Sequence, residues 1–90
     1  MAKIVDDGSG FKVIEISRSE IVSSILGAYG AIGICDYCGK SPENGYYVAV
    51  LNQWICPECY HDFISRNKPE PEDSWYEDLM FNKYKKIFNV

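Results

Sequence analysis

Four cysteines are the residues best placed to do chemistry, and they stand in two pairs, Cys35-Asp36-Tyr37-Cys38 and Cys56-Pro57-Glu58-Cys59, with 17 residues between them. A C-x-x-C turn holds two sulfurs along one edge of a tetrahedron, so two such turns can present four thiolates to a single ion. Gly39 lets the chain fold back beneath the first pair. Pro57 suits the first position of a helix, whose unpaired N–H groups would face the negative cluster from the second pair. Four cysteines also admit three disulfide connectivities, and the redox compartment decides between the two chemistries.

The opening residues Met1 to Asp7 lack the apolar run and small-residue cleavage site of a secretory signal. The uncharged stretch from Ile21 to Cys35 has 15 residues, whereas a membrane-spanning helix needs about 20. The expectation is therefore a cytoplasmic protein with reduced thiols. Cys35, Cys38, Cys56 and Cys59 are then metal ligands, and the metal is one zinc ion. A closed four-sulfur set leaves no open position for a substrate, so the zinc is expected to be structural. His61, two residues past Cys59, is read as a helix-surface residue because the ligand set is complete without it. With one histidine, no G-x-x-x-x-G-K-[ST] and no H-E-x-x-H, the chain is not expected to be an enzyme.

The elements that must position the cysteines follow from periodicity. Phe11 to Ile16, β-branched and roughly alternating, predicts a short strand after a tip at Asp6-Asp7-Gly8-Ser9-Gly10. Ser17 and Glu20 have the spacing of a capping box, and Ile21, Val22, Ile25, Leu26 and Tyr29 line one face of a helix from about Arg18 to Ala28. Gly27, Gly30 and Gly33 read as its stop and a lead into the first cysteine pair. Pro42-Glu43-Asn44-Gly45 reads as a turn, Tyr46 to Leu51 as a strand, and Asn52-Gln53 as the turn back into Trp54-Ile55. A helix from Pro57 to about Asn67 follows, buried through Tyr60, Phe63 and Ile64. After a charged, proline-rich connection, Ser74 and Glu77 offer a second capping box, and Tyr76, Met80, Tyr84 and Phe88 recur every four residues along a last helix. The fold class is thus α+β in a single domain: residues 11–33 as strand and helix, 34–67 as the metal unit, 68–74 as an acidic linker, and 75–88 as an amphipathic helix.

The order of knuckle, hairpin and C-x-x-C opening a helix resembles a treble-clef zinc finger, and C-x2-C-x17-C-x2-C is similar to the spacing of GATA-type fingers. The resemblance covers Ile34 to Asn67 and implies Cys35, Cys38, Cys56 and Cys59 as the ligands. GATA-type DNA readers carry basic residues in the hairpin and a basic tail. Here Tyr46 to Ile55 has no charge, and the tail reads Lys68-Pro69-Glu70-Pro71-Glu72-Asp73. Cys38-Gly39 and Cys56-Pro57 also resemble rubredoxins, which would imply iron, but Tyr60 stands where a second knuckle wants glycine, and zinc is the stronger expectation.

Ninety residues with 13 acids and 9 bases carry a formal charge of -4, and four thiolates on one divalent ion would bring it to about -6. Such a surface is repelled by phosphate backbones and anionic lipid heads, so nucleic acid and membrane are not expected as partners. A core this small needs a staple, which the metal would supply. Glu70, Glu72, Asp73, Glu77 and Asp78 form a solvated acidic face, or a surface for a basic partner. Tyr46, Tyr47, Trp75 and Tyr76 cannot all point inward, so aromatic surface should remain for a protein partner or a homo-oligomer. The expected function is a non-catalytic, zinc-stabilised protein-binding module, or a small regulator or inhibitor of the kind a phage or mobile element encodes. The alternative is a GATA-like DNA-binding transcriptional regulator.

Overall fold

In a computed structural model that describes residues 2–6, 8–23 and 34–90, four antiparallel strands form one sheet in the order β1-β2-β3-β4. The strands are β1 (Lys3–Val5), β2 (Val13–Ser17), β3 (Asn44–Val48) and β4 (Gln53–Ile55). The helices are α1 (Arg18–Ser23), α2 (Pro57–Arg66) and α3 (Ser74–Phe88), with a 3-10 turn at Pro71–Asp73 leading into α3. The α+β class expected from the sequence holds. The N-terminal strand and the later hairpin, separate in sequence, merge through the β2–β3 pairing, which sets Val13 opposite Val48 and Glu15 opposite Tyr46.

Register decides which side chains share a face. Val13, Val48 and Ile55 lie on one side of the sheet and form a core with Phe11, Cys35, Cys56, Tyr60 and Phe63. Ile14, Ile16, Tyr47 and Trp54 lie on the other side and form a second core with Ala2, Ile21 and Ala49, against which Met80, Phe81, Tyr84 and Phe88 of α3 pack. A strand buried on both faces reads as a nearly continuous apolar run, as Val13-Ile14-Glu15-Ile16 does. The Cys35 turn and α2 therefore cover one face of the sheet and α3 the other.

Local signals are realised with differences. One arm of the Ser17–Glu20 box is formed: the Glu20 amide donates to Ser17 Oγ at 3.2 Å, while Glu20 Oε1 accepts the Ser17 hydroxyl, at 3.0 Å, rather than its backbone amide. The end of that helix and Gly27, Gly30 and Gly33 lie outside the described residues. Phe11 is not part of the strand, which begins at Val13; its ring turns into the core, 4.8 Å from that of Phe63. The Asp6–Gly10 tip, of which Asp7 is not described, connects β2 to a strand that sequence reading missed, β1.

The first strand of the hairpin starts two residues and ends three residues before the expected Tyr46 to Leu51, and the return strand begins at Gln53, expected in the turn. Asn44 and Gly45 belong to β3, not to a turn, and Val48 ends it. Gly45 is needed there because a Cβ would lie 2.5 Å from the Trp54 indole carbons, and Trp54 Nε1 donates to the Ile16 carbonyl at 3.1 Å beside it. Asn52, with φ 53, turns the chain, and Tyr47 Oη donates to its Oδ1 at 2.8 Å.

The second capping box does not exist. Asp73 is the N-cap residue, Ser74 Oγ donates to the Pro71 carbonyl at 2.9 Å, and Glu77 turns inward. A tertiary donor wins over the local one, because Glu77 Oε2 accepts the Lys12 amide at 2.9 Å.

Candidate metal centre

Three pieces of chain bring the four sulfurs together. The first pair sits on a tight turn whose return is made by Gly39 at φ 76, a left-handed conformation that favours glycine. The Gly39 amide donates to the Cys35 carbonyl at 3.0 Å, and the Cys35 amide donates to the Lys40 carbonyl at 2.8 Å. The turn is fastened to β4 by Asp36: its amide donates to the Trp54 carbonyl and its Oδ2 accepts the Trp54 amide, both at 3.2 Å. The β4 edge of the sheet is thereby capped by the knuckle at Trp54. The second pair follows directly from β4, with Cys56 as N-cap of α2 and Pro57 just inside it.

The Sγ atoms of Cys35, Cys38, Cys56 and Cys59 all lie within 4.8 Å of one another, and those of Cys38 and Cys56 are 3.6 Å apart. Tetrahedral sulfur ligation at about 2.3 Å from zinc requires S···S separations of about 3.8 Å, so the set fits one ion. All four are free thiols. The cluster could hold a metal ion and is consistent with a four-cysteine zinc site. Cys35 and Cys56 are buried, Cys59 is half-buried and Cys38 is exposed, so the site lies at the margin of its core.

Electrostatics point the same way. Burial resists ionisation of Cys35, yet the amides of Cys38, Cys56 and Tyr37 bring its thiol down to about 6; the Tyr37 amide lies 3.4 Å from its sulfur. Burial pushes the Cys59 thiol up, and the thiols of Cys56, Cys38 and Cys35 add to the rise. The Lys40 amide favours the Cys38 thiolate, but desolvation and the Cys35 and Cys56 thiols leave Cys38 raised. One thiolate forms readily and discourages the others, a conflict that a divalent cation removes.

No family model matches the chain, and neither a curated protein nor a solved structure matches it. The site must therefore be read on its own geometry.

His61 is exposed on α2, its ring 5.6 Å from that of Tyr60 and 6.4 Å from that of Tyr46, outside the sulfur cluster. Sequence reading missed Asp36, although its place inside the first C-x-x-C was a signal. It also missed the Lys40–Glu58 contact of 3.7 Å between knuckle and helix, which is exposed and contributes little. Among the described residues no helix is long and apolar enough to cross a membrane.

Proposed function

We propose that the chain is a non-catalytic protein-binding module whose treble-clef-like unit is stapled by one structural zinc ion. The observation that carries binding is on α3. Trp75 is 69% exposed and Leu79, one turn on, 54%, although Met80, Phe81, Tyr84 and Phe88 of the same helix pack against the core on the sheet. Two large apolar groups adjacent on one helix face are the kind of surface that marks an interaction site.

Zinc is favoured over iron because the two cysteine pairs are unlike: one is a glycine-closed knuckle, the other a helix start. Four protein thiolates complete a tetrahedron, which suits a staple and leaves no position at which water could be activated. The DNA-binding alternative has the cysteine spacing in its favour and an uncharged β3–β4 hairpin against it.

The test is a photo-crosslinking residue placed at Asn82, beside Leu79 on the same exposed face, in the zinc-loaded protein within its source cells. A protein adduct that resists nuclease and is lost in Trp75→Ala/Leu79→Ala is expected. Adducts to nucleic acid alone would overturn the reading, as would a purified protein that holds no stoichiometric zinc.

A further inference from the structure

The exposed face of α3 has a charge pattern that matches its own reverse. Glu72, Trp75, Leu79, Asn82, Lys83 and Lys86 are all exposed. Counted from Leu79, Trp75 and Lys83 lie four residues to either side, and Glu72 and Lys86 lie seven to either side. At 3.6 residues per turn, positions four and seven residues away fall within about 40° and about 20° of the starting direction, so these residues share one stripe. Glu72 lies in the 3-10 turn that runs directly into the helix. The stripe is acidic at its start, apolar at its centre and basic at its end.

Resting on the reading of Trp75 and Leu79 as a binding surface, we propose that the occupant is a second copy of this chain, packed antiparallel through α3 about a two-fold axis at Leu79. The axis sets Leu79 on Leu79 of the second copy. It places Lys83 of each copy over the Trp75 indole of the other, a cation–π pair, and Glu72 of each copy beside Lys86 of the other. Every such contact occurs twice, as a two-fold interface requires. The spacing of Glu72, Trp75, Leu79, Asn82 and Lys86, alternately three and four residues, is that of a helix-pairing seam. No ion pair engages Glu72, Lys83 or Lys86 within the chain among the described residues; Lys83 Nζ lies 6.0 Å from its own Tyr84 ring. A basic peptide would satisfy the acidic start of the stripe and be repelled by Lys83 and Lys86, whereas a second copy satisfies both ends. With only one apolar turn at its centre, the contact belongs to the weak, transient class of association.

Sedimentation equilibrium of the zinc-loaded protein tests this. The mean mass is expected to rise from 10.3 kDa toward twice that value as concentration passes through the micromolar range, from about 1 µM to about 500 µM. Leu79→Lys should abolish the rise. Glu72→Lys and Lys86→Glu should each weaken association by about tenfold, because each turns two attractions into two repulsions. An equimolar mixture of those two variants should associate again, since each then meets its opposite charge. All three positions are exposed, and zinc content with near-ultraviolet circular dichroism confirms that each variant is folded.

A monomer up to about 500 µM, a dimer indifferent to Leu79→Lys, or no recovery on mixing would each overturn the proposal. A monomeric chain that still crosslinks through Asn82 to a different protein would overturn the second copy and leave the protein-binding reading standing.

Discussion

The amide of Lys12, just before β2, donates at 2.9 Å to Oε2 of Glu77, 65 residues later on α3, and Glu77 is the only buried charged residue among the described residues. The Lys12 ammonium also pairs with Asp78 and stands 5.8 Å from the Phe81 ring. One strand-entry residue thus fixes the N-terminal half of α3 against the sheet. Glu77→Ala should leave the Lys12 amide without its acceptor and cost about 1–3 kcal/mol. Glu77→Gln, which keeps an acceptor oxygen, should cost less. Urea unfolding of the zinc-loaded variants measures both, and equal losses would show that charge rather than acceptance matters.

The metal centre makes a stronger demand. A structural four-thiolate zinc site contributes on the order of 10 to 16 kcal/mol in apparent terms, more than a chain of this size gains from its core. On the zinc reading proposed above, Cys56→Ser should abolish stoichiometric zinc binding and lower the helical signal in circular dichroism. A variant that retains the wild-type spectrum without metal would show that the sheet and α3 suffice.

Gly45 and Gly39 should respond differently to alanine. At Gly45 the added Cβ meets the Trp54 ring at 2.5 Å, within an indole held by its hydrogen bond to Ile16, and overpacking of this kind costs about 1–3 kcal/mol. At Gly39 nothing lies within 4 Å of the added atom, and the cost comes from φ 76 alone, about 1 kcal/mol. Gly45→Ala should depress the thermal midpoint with zinc affinity little changed, whereas Gly39→Ala should weaken zinc binding by distorting the knuckle. Competition with a chromogenic chelator separates the two.

Alkaline pH should unfold the protein through Tyr47 and Tyr84. Burial raises both phenols; Tyr84 and Tyr76 add to the rise at Tyr47, and Tyr76 adds to the rise at Tyr84, which a hydrogen bond with Tyr47 partly offsets. A raised folded value means that this stability is fully present below the unfolded value of about 10 and is lost as pH rises above it. Stability followed by urea midpoint should fall steeply above about pH 10. Tyr47→Phe should be less stable at neutral pH, for want of the bond to Asn52 Oδ1, and should show a shallower alkaline decline.

Much of the site was legible because its signals are local. Two C-x-x-C turns, a glycine after the first and a proline inside the second can each be read within a few residues, and each is realised where expected: Gly39 at positive φ, Cys56 as N-cap of α2. The Ser17–Glu20 box and the four-residue recurrence of Met80, Tyr84 and Phe88 were readable for the same reason, since a helix settles its caps and its face within one turn.

The failures are the places where a distant partner competed with a local one. Asn44-Gly45 carries a turn signal, but Trp54 needs the space above Gly45 and the pairing with Ser17 and Ile16 continues the strand through it. Ser74 and Glu77 have capping-box spacing, but the Lys12 amide, just before the start of β2, claims the Glu77 carboxylate. Sequence by itself determined the four cysteines that cluster as a candidate metal site, the α+β class and the helix that carries Trp75 and Leu79, because residue type and short spacing suffice for those. Tertiary structure alone decided that the hairpin joins β2, that Asp36 caps the β4 edge at Trp54, and that α3 buries Tyr84 and Phe88 while leaving Trp75 outside. Those outcomes depend on which backbone groups and faces remain unsatisfied after the local elements form, and only residues far apart in the chain satisfy them.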